Sequence, residues 1–337
     1  METLSALLAE LESTTGLGPY QLLLGSLTSL YIALRLLRPR RPRLKRLPPA
    51  RERVLILGAS SGIGRAIAHE YAARGARVCV VGRRERQLGG VVEECTALFR
   101  GGATGEAWSF RGDFGDAEDM VELRDQLEKR WGGLDTLVVS AGVSALRPLL
   151  EVAGLERRHG AFDPPQVSVE GVKHTAQVAT KAMEANFLGP LVSAVTFIPL
   201  LSQTSPTPAI CQISSLAALC PAPTRSLYCA TKSAALLLYQ ALAIEHPDVA
   251  FTNVIPSTVA GDFRASAVDG GAVRELDPNV HGLKVVDVAR RAVRAIDGAE
   301  RYVLMPYAFS RFGHFGYWPF PAAVERMAAR KYNFTAP

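Results

Sequence analysis

Two side chains in one short stretch are spaced to move a proton at an oxygen. Tyr228 and Lys232 stand four residues apart in Tyr228-Cys229-Ala230-Thr231-Lys232, and Ser215 lies thirteen residues before the tyrosine. Residues at i and i+4 share a helix face. An ammonium beside a phenol favours phenolate, so Lys232 is expected to lower the pKa of Tyr228 and let it exchange a proton nearer neutrality. Alone, such a pair is as readily a surface pair; what precedes it in the chain gives it weight.

Gly58-Ala59-Ser60-Ser61-Gly62-Ile63-Gly64 follows an apolar run, Arg53–Leu57, and opens a helical pattern. Glycines in such a turn let the backbone approach a pyrophosphate, and the helix N–H groups and dipole favour its charge. The next apolar run ends Val80-Val81-Gly82-Arg83-Arg84. A site selecting NAD usually has a carboxylate here for the ribose 2′-hydroxyl. Gly82 followed by two guanidinium groups suits a 2′-phosphate instead, which predicts NADP(H).

The elements that must position these residues alternate. Strands are expected at Arg53–Leu57, Arg77–Val81, Ala107–Phe110, Leu134–Ser140, Ala209–Ile213, Ala250–Ile255 and Tyr302–Met305. Helical spacing covers Ile63–Arg74, Glu85–Phe99, Ala117–Trp131, about His174–Ser202, Leu227–Glu245 and Val285–Asp297. Strand–helix alternation with right-handed crossovers gives an α/β fold, a Rossmann-type doubly wound parallel sheet in a single domain, with ligands beyond the carboxyl ends of the strands.

Taken in this order, the glycine turn, Ser215 and the Tyr228–Lys232 pair resemble the short-chain dehydrogenase/reductase family, in its single-domain branch, over about residues 52–305. The resemblance implies metal-free, NAD(P)-dependent interconversion of a carbonyl and an alcohol. It makes Tyr228 the acid/base and Ser215 the hydroxyl that polarises the carbonyl, while Lys232 tunes Tyr228 and holds the nicotinamide ribose. Asn186, in Met183-Glu184-Ala185-Asn186-Phe187, matches the helix asparagine that holds a relay water. Asp113-Phe114 matches the segment over adenine, Ser140-Ala141-Gly142 the end of the fourth strand, and Pro256 to Val259 the loop meeting the carboxamide. Three positions depart from the family: Leu57 replaces a threonine, Val139-Ser140 an Asn-Asn pair, and Ser257 a glycine that shapes the nicotinamide pocket.

The chain has 337 residues and a net charge of +6. Residues 1–53 hold nine basic and four acidic groups, so the rest is nearly neutral and offers no nucleic-acid groove. Five cysteines show no CxxC pair, as expected of a reducing compartment without structural disulfides or zinc. Ser13 to Leu34 carries no charge across 22 residues, and seven cations follow from Arg35 to Arg46. That order is the reverse of a cleaved signal peptide. It predicts an N-terminal transmembrane helix spanning about 17–37 within a segment 1–37, with the body facing the cytosol. An interfacial helix or a buried apolar hairpin are the alternatives. Residues 38–52 read as a basic, proline-rich linker, and 53–305 as the catalytic domain. The endoplasmic reticulum is the default membrane, with outer mitochondrial or peroxisomal membranes as alternatives.

Residues 154–173 exceed what compact family members need and read as a surface excursion. The tail, 306–337, follows a segment holding eight of the chain's 25 aromatics between Tyr302 and Phe320. Core packing with a homodimer contact competes there with a lid dipping into the lipid interface. The expected function is an NADP(H)-dependent reductase of a lipophilic ketone or aldehyde, or a dehydrogenase of the matching alcohol. A non-catalytic NADP(H)-binding membrane scaffold and a sugar-nucleotide epimerase or dehydratase are the rivals.

Overall fold

The computed structural model describes residues 16, 18–36, 43–99, 105–158, 160–275 and 277–334. Contacts divide the chain into two units after Arg41. In the first, α1 (Pro19–Leu36) is an 18-residue helix, about 27 Å long, with Leu23, Leu24, Leu27 and Leu30 exposed. The expected span ends, Leu17 and Leu37, lie outside the described residues.

The second unit is organised by seven parallel strands. They are β1 (Arg53–Leu57), β2 (Arg77–Gly82), β3 (Glu106–Arg111), β4 (Thr136–Val139), β7 (Ala209–Ile213), β8 (Ala250–Pro256) and β9 (Tyr302–Met305), in the order β3-β2-β1-β4-β7-β8-β9. Order reverses between β1 and β4, so the chain leaves these neighbours in opposite directions and opens a crevice at their carboxyl ends.

Alternate residues of each strand serve two cores, as the strand period of two requires. Val54, Ile56, Val78 and Val80 pack against Ile67 and Tyr71 of α2 (Gly62–Ala72), Leu88 of α3 (Glu85–Leu98) and Ile296 of α8 (Val285–Asp297). Leu55, Leu57, Cys79 and Val81 face Leu123 of α4 (Ala117–Trp131), Phe197 of α6 (Gly189–Thr204) and Tyr239 of α7 (Ser226–Glu245). Leu57, one of the family departures, is fully buried here and contributes packing.

The long helical pattern is α5 (Val169–Met183), a π turn over Glu184–Leu188, and α6. By length and apolarity this stretch and α7 could each cross a membrane, yet 50% and 39% of their apolar windows are buried inside the protein. The expected surface excursion is an exposed hairpin of β5 (Glu156–Arg158) and β6 (Ala161–Asp163), but its last residues, from Val169, already belong to α5. The tail forms α9 (Tyr307–Gly316) and α10 (Pro321–Lys331).

The linker expectation needs correction. Arg43 is 3% exposed and its Nη1 donates to Glu52 Oε1 at 2.7 Å. Thr136 of β4 donates to the same carboxylate oxygen at 2.6 Å, and Arg43 Nε donates to the Thr207 carbonyl. Residues 43–52 therefore belong to the folded body, tied across the amino ends of the sheet. Removing one member of such a buried pair costs about 3–5 kcal/mol, because the other charge is left unpaired. Arg43→Met is expected to lower the midpoint of thermal denaturation by several degrees, and adding Glu52→Leu to recover part of the loss. An unchanged midpoint in the single variant would sink this account.

Candidate active site

Beyond the carboxyl ends of the strands lies a cleft of about 1780 Å³. Of the expected site residues, Gly58, Ser60, Ser61, Gly62, Ile63, Arg83, Arg84, Asp113, Phe114, Ser140, Ala141, Gly142, Ser215, Tyr228, Lys232, Pro256 and Val259 all line it. Gly64 and Asn186 are not in its wall; they stand behind it and shape it.

At one end the glycine turn is forced by crowding. Gly58 has φ +83°, and a Cβ there would lie 2.4 Å from the Ala141 backbone nitrogen. A Cβ on Gly64 would lie 2.3 Å from the Gly58 carbonyl oxygen. The turn can thus close only with glycine at both positions. Ser61, at the cap position of α2, makes no side-chain bond to the helix; its hydroxyl and that of Ser60 instead accept from Arg84 Nη2, each at 2.8 Å. The first N–H groups of α2 therefore keep their capacity for an anion, in a turn closed tightly at Gly58 and Gly64. Arg83 is exposed and donates to Asp113 Oδ2 at 3.4 Å, and Phe114 packs where Gly189 leaves room, since a Cβ there would lie 2.2 Å from the ring. These residues fit a phosphate-bearing dinucleotide.

At the floor, α7 carries Tyr228 and Lys232 as the i, i+4 spacing predicts, both nearly buried. Ser215, just past β7, lines the cleft with Tyr228, and its hydroxyl accepts from the Ala217 N–H at 3.2 Å. Burial, the largest influence, raises the Tyr228 pKa, while the neighbouring Ser215 hydroxyl opposes it. The expected net lowering by Lys232 is therefore not found. Lys232 Nζ donates to the Ile213 carbonyl at 3.3 Å, and burial pushes its own pKa down to about 8.

Asn186 is fully buried in the π turn. Its Oδ1 accepts from Val143 N at 2.9 Å, and its Nδ2 donates to the Val143 carbonyl and to Thr231 Oγ1. It pins the loop after β4 to α7. Gly142 is required beside it, since a Cβ would lie 2.7 Å from Asn186 Oδ1 and 3.1 Å from Lys232 Nζ. Ser257, the departure that could have shifted the pocket, does not have a left-handed backbone, and its N–H donates to the Met305 carbonyl at 2.7 Å. A side chain is tolerated there. Cys220 also lines the cleft, but burial raises its thiol to about 11, which leaves little thiolate for chemistry.

The far wall was missed in the sequence. Phe263 packs edge-on against Tyr228, and Arg225, Arg264, Glu275, Phe309, Phe312, Lys331 and Tyr332 complete that wall. They come from four separate segments, and no local spacing joins them. Thr231, buried against Asn186, was passed over although it lies inside the Tyr–Lys motif.

Comparison with known proteins agrees with this geometry. The chain is 33% identical to 11-beta-hydroxysteroid dehydrogenase-like 3 of Arabidopsis thaliana over 64% of its own length, spanning 61% of that protein. It is 31% identical to 11-beta-hydroxysteroid dehydrogenase A of Sesamum indicum over 268 residues, 76% of this chain and 68% of the relative. An alcohol dehydrogenase from the archaeon Thermococcus sibiricus, solved with 5-hydroxy-NADP, has the same fold, with a TM-score of 0.58 and 23% identity over 75% of this chain and 94% of its own. The model of the short chain dehydrogenase family matches residues 52–270. This protein accordingly belongs to the short-chain dehydrogenase family, oxidoreductases of CH–OH and C=O groups whose members bind a nicotinamide cofactor.

Proposed function

We propose that the protein is an NADP(H)-dependent reductase of a lipophilic ketone or aldehyde, held to a membrane by α1 with its body in the cytosol. The observation that carries the reading is the convergence of Ser215, Tyr228 and buried Lys232 on the floor of the cleft. A nicotinamide bound in the cleft would supply or accept a hydride. The chain's own groups manage the oxygen. Burial holds Tyr228 as the neutral phenol, the form that can give a proton to a carbonyl oxygen. Ser215 donates to the same oxygen and orients it. Lys232 restores the tyrosine's proton, with Asn186 as the fixed polar step behind it.

Cofactor choice rests on Gly82, where no carboxylate opposes a 2′-phosphate, and on Arg83 and Arg84 beside Ser60 and Ser61. The lipophilic substrate is supported by the exposed aromatics of α9 and the turn after it. Phe309 and Phe312 line the cleft and are also 41% and 44% exposed, and Phe315, Trp318 and Phe320 continue the surface. A cleft mouth of this kind suits a substrate drawn from a bilayer, where the length and flanking cations of α1 would keep the enzyme. The endoplasmic reticulum is the membrane we favour.

NADPH oxidation by the detergent-solubilised full chain, over a panel of lipophilic ketones and aldehydes, tests the reading. Turnover is expected in the wild type and a loss of at least about a thousandfold in Tyr228→Phe, with NADPH binding retained. Binding without turnover across the panel would favour the scaffold instead. Arg84→Ala should weaken NADPH about tenfold or more and NADH little, measured by nicotinamide fluorescence; equal losses for both cofactors would refute the 2′-phosphate role.

Lys232 gives a pH test with a definite sign. Its folded pKa, about 8, lies below the ordinary 10.5. Below pH 8 both folded and unfolded chains carry the charge, and the folded one bears the full burial cost. Between 8 and 10.5 the folded chain sheds its proton first, so this cost fades as pH rises. Lys232→Met is expected to be inactive yet more stable at pH 7 by roughly 2 kcal/mol, after the lost hydrogen bond to Ile213 is discounted. That advantage should shrink as pH rises toward 10.5 in thermal denaturation. A constant difference across the range would show that burial of the ammonium is not the cause.

A further inference from the structure

The wall facing Tyr228 is unusual for a site that would take only an apolar molecule. Glu275 Oε1 accepts from Arg225 Nη2 at 2.9 Å and also from Arg264 Nε, and all three side chains are close to buried. One carboxylate thus serves two guanidinium groups. Lys331, the last residue of α10, adds a third cation; its Nζ lies 5.7 Å from the Phe309 ring centre and 5.5 Å from that of Tyr332. Among the described residues Lys331 has no ion pair, so the aromatic faces are its partners. Arg225 in turn lies over the Tyr332 ring at 5.4 Å. Arg225, Arg264, Glu275 and Lys331 all line the cleft together with the exposed Asp262, which leaves this end with a net positive charge.

Such an excess has an energetic consequence. Burial together with Arg225 and Arg264 lowers the Lys331 pKa, and Glu275 only partly opposes this. A cation kept there without an anion costs stability that a bound anion would return, since charge-assisted pairs strengthen out of water. The Arg225–Glu275–Arg264 group alone is accounted for as a brace: it joins the start of α7 to the loop after β8. Lys331 is not needed by that brace, and a methionine there would pack on Phe309 and Tyr332 as well.

We infer that the substrate is amphiphilic, a lipophilic carbonyl or alcohol compound carrying a carboxylate, and that Lys331 with the Arg225–Arg264 pair receives that carboxylate while the reacting oxygen sits at Tyr228. The inference rests on the reductase reading above and adds the charge of the substrate. It makes Lys331 a specificity residue supplied by the last helix, outside the stretch matched by the family model.

The experiment pairs a long-chain oxo-carboxylic acid with its methyl ester, alike in chain and carbonyl, on the full chain in detergent. Wild type is expected to prefer the acid by about tenfold in kcat/KM, expressed mainly in KM. Lys331→Met should bring the acid down to the level of the ester, and Lys331→Arg should retain the preference. Equal kcat/KM for acid and ester in the wild type, or a preference untouched in Lys331→Met, would overturn the inference while leaving the reductase intact. If neither compound is turned over, the reductase reading is left to the panel above, and calorimetric titration of both compounds with NADP⁺ present still decides this one. Tighter binding of the acid, lost in Lys331→Met, supports it; equal binding overturns it.

Discussion

The close approach of two loops at the reversal of strand order is the constraint on which the site depends. Gly58 after β1 and Ala141 after β4 lie so near that a Cβ on Gly58 would sit 2.4 Å from backbone. This contact brings the glycine turn, which faces one cofactor end, against the loop that leads to the catalytic floor. The same β4 loop is then fixed from behind by Asn186, which bonds both backbone groups of Val143 and reaches Thr231 on α7. The π turn matters for that reason. Its wider ring inserts a residue in the helical ladder where α5 becomes α6 and aims Asn186 at the loop. Phosphate cradle, β4 loop and Tyr228–Lys232 face thereby form one rigid unit instead of three adjacent features.

Much of this was legible because it is written in short-range terms. The continuous apolar runs of β1 and β2, the i, i+4 placement of Tyr228 and Lys232, and the glycine turn between a strand and a helix each need only neighbours along the chain. The cofactor end and the floor follow from them. What escaped reading was set by contacts distant in sequence. Arg43 looked like one more cation in a basic run, and only its meeting with Glu52 and Thr136 places it in the body. The tail's aromatics did suggest a lid or a core. Which of them face the cleft depends on how α9 and α10 fold back, and nothing in their spacing says so.

The pKa of Tyr228 shows a different limit. Placing an ammonium and a phenol on one helix face predicts the direction of their mutual influence, and that physics is sound. It omits the cost of removing both from water. Here that cost dominates: burial raises the phenol and lowers the ammonium. Both groups are driven toward their neutral forms, and a neutral phenol is the right form to hand a proton to a carbonyl.

Charge in the cleft is distributed in a way that fits this chemistry. Arg83 and Arg84 stand at the glycine-turn end, and Arg225, Arg264 and Lys331 at the other, with the acids that line the cleft, Asp113, Asp116, Glu184, Asp262 and Glu275, only partly balancing its cations. Tyr228 lies between these ends, in a floor too buried to be strongly screened by salt. A ligand set with negative charge at both extremes and a neutral carbonyl in the middle would be aligned by that field before any close contact forms. An entirely apolar substrate would gain nothing from the second positive end and would leave the half-buried Lys331 without an anion. The excess of cations at that wall is therefore better understood as selecting what enters than as holding the fold together.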